Sequence, residues 1–458
     1  MHFRAPKMDG LERYSTPLNA VFSRQHKLDL EHRVELALLL ALSESGLCPA
    51  EAHAEASAAV AEGRVTLART LEIERETQHD IMAVVKALTE QCPRFGGFVH
   101  FGATSQDVND TVLALQMGEC RAALLAASRG VRRELTRLAS AHRATAAIGR
   151  THGQHAIPVT MGFKFANFLY ELSAAEAFLE RVQVLGKFSG AVGTFASLGT
   201  AAVQASVMRQ LGLAAAPIST QVVSRLHMLD FCFALAAQAA ALERLAKEVR
   251  NLQRTEISEL HEGFGAKQVG SSTMPQKRNP HKSERVCGLA RLVRAQLGPA
   301  LETVSLEHER DLTNSSAERI SLPTAACLTH YMLSEMFKIL AALHVDAVAV
   351  DRNLRAGGGR QLAERIMLAL TGKLGRQAAH EVLRVHAGAD DFVAAMQADP
   401  RVAGALSAKE LADLLDPTTY IGLAPEIVDD IVARFGVPAE AGAGAAASAA
   451  SGAAGGSS

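Results

Sequence analysis

Gly270-Ser271-Ser272-Thr273-Met274-Pro275-Gln276-Lys277-Arg278-Asn279-Pro280 is the stretch from which the rest of this chain can be read. It sets a glycine, two serine hydroxyls, a lysine, an arginine and an asparagine between two long helical patterns. Pro275 and Pro280 bar it from regular helix. Gly270 and the small serines let the backbone bend and approach a ligand closely. Convergent donors on a polar loop suit an anionic substrate. The plainer alternative is a surface connection of ordinary loop composition.

Outward from this loop the chain reads as long helices. Val108, Val112, Leu115, Leu124, Val131, Leu135 and Leu138 mark one apolar face that starts after Ser105. A second pattern runs from about 158 to 185, through Phe165, Phe168, Leu172 and Leu179. A third runs from about 224 to 261, through Phe231, Leu235, Leu242, Leu245 and Val249. A fourth follows the loop, and a fifth spans about 315 to 345 across Pro323. Amphipathic helices of this length bury their stripes only against one another, which predicts a bundle. Stripes this long exceed what one chain's core covers, so association of copies is expected. No sustained two-residue alternation appears, so strands should be few and short.

Shorter helices are predicted over about 20–45, 50–62, 65–71 and 80–88, and again between Val350 and Phe435. The expected organisation is all-α: an N-terminal helical domain over 1–103, a central long-helix bundle over 104–348 carrying the loop 270–280, and a C-terminal helical domain over 349–438. Residues 439–458 are almost wholly Ala, Gly and Ser and read as a disordered tail.

The 458 residues, 48% of them hydrophobic, suffice for a large core. A formal net charge of -1 argues against a nucleic-acid surface. Six cysteines without C-x-x-C spacing suit reduced thiols in the cytoplasm. No signal peptide is visible and no apolar run reaches bilayer length, so no membrane partner is expected.

Four further blocks carry candidate chemistry. Gly149-Arg150-Thr151-His152-Gly153-Gln154-His155 holds two histidines three apart, which as metal ligands would lack the further donors a zinc site needs. The better use is proton exchange near neutral pH. His100-Phe101-Gly102-Ala103-Thr104-Ser105 leads into the first long helix. Its hydroxyls suit capping, and a helix N-terminus also suits a carboxylate. Thr77-Gln78-His79-Asp80 opens a short helix. His308-Glu309-Arg310-Asp311 and Ser315-Ser316-Ala317-Glu318-Arg319 set two arginines and a serine around a helix start. That is a phosphate cradle, or else a solvated charged helix end.

The loop 270–280 resembles the signature of the fumarase/aspartase superfamily, Gly-Ser-Ser-x-Met-Pro-x-Lys-x-Asn-Pro. Its Lys-Arg-Asn-Pro ending, and Arg150-Thr151-His152-Gly153-Gln154-His155, are most similar to the adenylosuccinate lyase branch. The resemblance spans about Arg13 to Phe435. It implies the three-domain all-α fold, a homotetramer with active sites shared between chains, and elimination of fumarate from a succinyl nucleotide without cofactor or metal. By the same resemblance Ser272 is the base, His152 the acid that protonates the leaving nitrogen, and Glu284 its charge partner. Lys277 and Asn279 bind carboxylate. The resemblance assigns Ser271, His79, Asp80, His100, Thr104, Ser105, Thr151, Gln221 and Arg225 to substrate binding, and Arg13, Tyr14, Arg310, Ser315 and Arg319 to the nucleotide phosphate. Gln276 departs from the His or Tyr usual in that branch. Gly357-Gly358-Gly359 and Leu414-Leu415-Asp416-Pro417 resemble the carboxymuconate cycloisomerases. That activity, another succinyl adduct as substrate, and a non-catalytic helical scaffold are the alternatives.

Overall fold

The computed structural model describes residues 12–264, 273–274 and 276–438. Ser271, Ser272 and the Ala/Gly/Ser tail lie outside the described residues. The described chain is predominantly helical, with three two-stranded sheets. It divides into two discontinuous units. One takes 1–127, 175–240 and 288–334, the other 128–174, 241–287 and 335–458, and the long helices are shared out between them.

The first unit begins with four helices, α1 (Arg24–Glu44), α2 (Ala50–Ala61), α3 (Leu67–Thr77) and α4 (Asp80–Thr89). Ser23 starts α1 by accepting the His26 amide at 3.2 Å, which supplies one of the donors a helix end leaves unpaired. Leu30, Val34, Leu38 and Leu42 then recur at four-residue steps and are all buried. They pack with Ile81, Leu88, Val108, Val112, Phe188, Val203 and Val207 into one core. Each such side chain contributes about 1.5–3 kcal/mol on full burial. The predicted helix 65–71 instead runs to Thr77, because Gln78 takes the left-handed conformation (φ 53°) that closes it. His79 then caps α4, its Nδ1 accepting the Met82 amide at 3.2 Å.

The five predicted long helices are present as α5 (Ser105–Ala141), α6 (Met161–Glu180), α8 (Leu226–Leu252), α9 (His281–Ala295) and α11 (Thr313–Ala341), with α7 (Ala202–Leu211) and α10 (Leu297–Glu302) between them. Two differ from expectation at their ends. The pattern from 158 starts as helix only at Met161, because β1 (Ala146–Thr151) pairs antiparallel with β2 (Gln154–Thr160). Pro158 is tolerated in β2 because a two-stranded sheet leaves one edge of each strand unpaired. The pattern from 224 stops at Leu252, and the turns after it lead to β5 (Leu260–His261), which pairs with β6 (His344–Val345). Pro323 lies inside α11. Helix α8 is the one among the described residues long and apolar enough by composition to cross a membrane, but over half of its most apolar window is buried inside the chain.

The remaining small sheet pairs β3 (Leu185–Gly186) with β4 (Ala214–Ala215) in parallel. Beyond β6 the second unit continues through α12 (Ala347–Arg355) into six short helices that end at Phe435. Ile366, Leu370, Val382, Phe392, Met396 and Val402 form their core.

Candidate active site

The sequence-predicted site residues fall into two groups, one in each unit. In the first unit three helix starts open on one cavity of about 440 Å³. They are the start of α4 with His79 and Asp80, that of α5 with Thr104 and Ser105, and that of α11 with Ser315. Gln221, Arg310 and Arg319 also line it, with Glu74 at its edge the one further charged group among the described residues. A helix N-terminus presents free amides and the positive end of the macrodipole. Three of them beside two guanidinium groups make a site for an anion with more than one charged end.

Each of these starts is held by its own contacts. At α5 the Thr104 amide donates to Asp107 Oδ2 at 2.8 Å, the reach-back half of a capping box, while the Asp107 amide donates to the Thr104 backbone carbonyl at 2.9 Å. The other Asp107 oxygen receives the fully buried Lys187 ammonium and the amides of Ser189 and Gly190. At α11 Asp311 accepts from the Thr313 amide at 2.7 Å. At α4 Asp80 receives the Ile81 amide at 2.9 Å and pairs with Arg319 at 2.7 Å and Lys27 at 3.7 Å. Burial pushes the Asp80 carboxyl up, but those cations pull harder and hold it below its ordinary value.

Arg310 Nη1 donates to Gln221 Oε1 at 3.0 Å, and the Gln221 amide donates to the Glu309 carbonyl. Gln221 is thereby fixed beside the α11 start. Arg225 is buried, and all three of its nitrogens are engaged. They donate to Asp110 at 2.9 Å twice, to Glu318 at 2.9 and 3.3 Å, and to the Val223 carbonyl. It holds α5, α8 and α11 together and lines the inner wall of an adjoining cavity of about 270 Å³. His100 sits in the left-handed region (φ 62°) with Nδ1 at 2.6 Å from Glu35, whose other oxygen accepts the His100 amide. Burial alone would lower the His100 pKa; the Glu35 bond and charge, with Asp107, outweigh it and raise it. Arg13 is exposed near the chain start, and Tyr14 packs edge-on against Tyr331 of α11 at 5.3 Å.

The second unit holds the proton-transfer candidates. Thr151 pairs with Gln154 across a two-residue turn made of His152 and Gly153, with φ of 53° and 77°. Positive φ at both central residues matches the twist of a tight hairpin. His152 thus stands exposed at the hairpin tip. A histidine held in that region is the kind of local strain that collects at functional sites. Lys277 is exposed, its amide donating to the Met274 carbonyl. Asn279 and Pro280 lead into α9, where Glu284 lies exposed in the first turn. Glu262 caps this helix, accepting the Ser283 amide at 2.7 Å. Among the described residues no hydrogen bond joins His152 to Glu284 within one chain.

Sequence reading missed Glu35, Asp110, Lys187, Glu259 and Glu262. All are buried charges whose partners lie far away in sequence. Of these only Asp110 carried a signal, lying on the helix that Thr104 and Ser105 open.

A family model described as lyase matches residues 5–295, and one described as adenylosuccinate lyase C-terminus matches residues 359–431. The adenylosuccinate lyase of Pyrococcus abyssi is 43% identical over 432 residues, covering 91% of this chain and 95% of its own. That of Methanothermobacter thermautotrophicus is 42% identical over 435 residues, covering 92% and 97%. Among solved structures, a fumarate lyase from Mesorhizobium sp. BNC1 superposes with a TM-score of 0.85 at 29% identity, over 92% of this chain and 98% of its own. The 3-carboxy-cis,cis-muconate lactonizing enzyme of Pseudomonas putida gives 0.84 at 31% identity, over 92% and 97%. With its signature loop, its histidine hairpin and relatives matched along nearly their whole length, the chain belongs to the fumarase/aspartase superfamily of lyases and, within it, to the adenylosuccinate lyase family.

Proposed function

We propose that this chain cleaves adenylosuccinate to AMP and fumarate, and the succinyl-carboxamide intermediate of purine synthesis in the same way. The observation that carries the reading is the cavity of the first unit, where three helix starts, Arg310 and Arg319 face one space. A succinyl nucleotide has carboxylates at one end and a phosphate at the other. The Thr104–Ser105 start suits a carboxylate. Ser315, Arg310 and Arg319, with Arg13 and Tyr14, suit the phosphate. Arg225, enclosed by Asp110 and Glu318, serves by holding these helices in place.

The chemistry is anti β-elimination. Ser272 takes the proton from the carbon next to a carboxylate. The electron pair left behind is delocalised into that carboxylate, stabilised by Lys277 and Asn279. It then forms the carbon–carbon double bond as the carbon–nitrogen bond breaks. His152 gives its proton to the departing nitrogen, and Glu284 stabilises the charged ring. No electrons enter or leave overall, so the elimination calls for no redox partner.

His152 and Glu284 are both exposed in the single chain. Leu226, Phe233, Leu292, Leu312 and Ile320 are exposed apolar residues on the long helices or just before one. Both observations favour a homotetramer in which neighbouring copies complete each active site. The six cysteines are free thiols, which fits a reducing cytoplasm.

The test is turnover by the purified chain of adenylosuccinate, its dephosphorylated analogue, and a carboxymuconate. Release of AMP and fumarate with clear preference for the phosphorylated compound supports the reading. Lactone formation from carboxymuconate without adenylosuccinate cleavage replaces it with the cycloisomerase activity.

A further inference from the structure

Arg150 stands two residues before His152, inside the hairpin motif, yet the proposed chemistry gives it nothing to do. Its guanidinium points inward and forks onto one carboxylate. Nη2 lies 2.5 Å from Glu259 Oε1, and Nη1 lies 3.1 Å from Glu259 Oε2. The Arg150 side chain is 14% exposed and that of Glu259 is fully buried. Asn353 of α12 adds a third donor to Oε1 at 2.9 Å and reaches the Ile257 carbonyl at 2.8 Å. The Glu259 backbone is fixed as well. Its amide donates to the Leu252 carbonyl at the end of α8, and its carbonyl accepts the Asp346 amide.

A planar fork on a carboxylate sets direction as well as distance. The hairpin needs such a setting, because its own pairing is interrupted just before the turn. The register slips between Ile148 and Arg150. At the slip, Gly149 meets the Ile157 carbonyl so closely that an added Cβ would lie 2.6 Å from that oxygen. The extra residue lies in β2, where Ala156 and Ile157 together span the gap that Gly149 spans alone, and such a bulge bends the pair and increases its twist locally. Arg150 is the first paired residue after the bulge, and the strand then passes through Thr151 to His152.

We propose that Arg150 and Glu259 are positioning residues for the proton donor. In this arrangement the buried fork takes up the freedom left by the bulge and fixes where the His152 ring is presented. The inference rests on the reading of His152 as general acid. Neither Arg150 nor Glu259 touches substrate in this scheme. Their removal therefore acts on the proton-transfer step and leaves binding of the phosphate and carboxylates alone.

The experiment compares Arg150→Met, Arg150→Lys, Glu259→Gln and His152→Gln, each alone and the first also combined with His152→Gln. Turnover is read with adenylosuccinate and with a succinyl adduct of a less basic amine, whose departure needs the proton less. Arg150→Met and Glu259→Gln should lower kcat about 10–100-fold, the effect of misplacing a reacting group by about an ångström, with KM within threefold. The loss should shrink on the less basic adduct, as it does for His152→Gln. A fall in the amount of folded enzyme would instead lower turnover equally on both substrates. Arg150→Lys, which keeps the charge and one contact, should recover part of the loss. In the His152→Gln background Arg150→Met should cost little more, since no proton donor remains to be placed.

Near wild-type kcat in Arg150→Met with His152→Gln impaired overturns the inference and leaves the acid assignment standing. Additive losses in the double variant overturn it in the same way. Near wild-type kcat in His152→Gln overturns both. If Arg150→Met does not fold, Glu259→Gln, which preserves side-chain volume, carries the same test with the same outcomes.

Discussion

Arg319→Ala probes the phosphate end of the proposed substrate far from the reacting carbon. In the free chain the Arg319 side chain is about half exposed (52%) and pairs with Asp80 at 2.7 Å. Deleting a charge-assisted contact costs about 1.5–3 kcal/mol. Because this guanidinium is hydrated and already paired before substrate arrives, the expected loss lies at the lower end, about 1.5–2 kcal/mol, or roughly 10–30-fold in kcat/KM. Asp80 keeps Lys27 at 3.7 Å, and an exposed pair contributes only about 0–1 kcal/mol to folding, so thermal stability should barely move. The assay is steady-state cleavage of adenylosuccinate and of succinyladenosine, followed by loss of the substrate's ultraviolet absorbance, for wild type and variant. The loss should fall on KM with adenylosuccinate and be nearly absent with succinyladenosine, which has no phosphate to hold. Some fall in kcat is compatible, because remote binding energy also helps organise the reacting end. Equal losses on both substrates, or no wild-type preference for the phosphorylated one, would refute the phosphate assignment.

Ser272→Ala should abolish turnover while leaving thermal stability and oligomeric mass unchanged; residual activity near wild type, measured after removal of any co-purified host enzyme, rules out Ser272 as the base. Glu35→Gln should bring the His100 pKa down, visible in the ring-proton NMR titration. The sign follows from the direction of the shift. The folded His100 pKa is raised, so the stability this group contributes is fully present below its unfolded value, about 6.5, and is lost as pH rises through the folded value. The stability gap between wild type and Glu35→Gln should therefore narrow on the alkaline side, and a gap that widens there counts against the charged pair. Gly149→Ala, whose Cβ would meet the Ile157 carbonyl at 2.6 Å, should displace the hairpin tip and lower kcat about tenfold or more. Unchanged kcat with an intact fold would show that the bulge does not set the His152 position.

The sequence by itself determined the helical class, the approximate span of the long helices, the superfamily loop and the identity of the candidate residues. It could do so because apolar spacing of three and four residues and short polar blocks are local properties, written within a turn or two of chain. The tertiary structure decided what holds those residues. Nothing in the spacing of Glu35 and His100, Lys187 and Asp107, or Arg150 and Glu259 announces a pair, because each contact joins residues tens of positions apart. Their meeting depends on how the helices pack. The hairpin under His152 was hidden for a related reason. Its strands alternate poorly, interrupted by Gly149 and Pro158, and they are recognisable only through their pairing with each other. Arg225 shows the limit most plainly. Its sequence position matched a substrate-binding residue, and the fold engages its guanidinium with Asp110 and Glu318 on the wall of a cavity. Charge near a site is a property of the sequence, whereas freedom to meet a ligand depends on which partners the fold brings within reach.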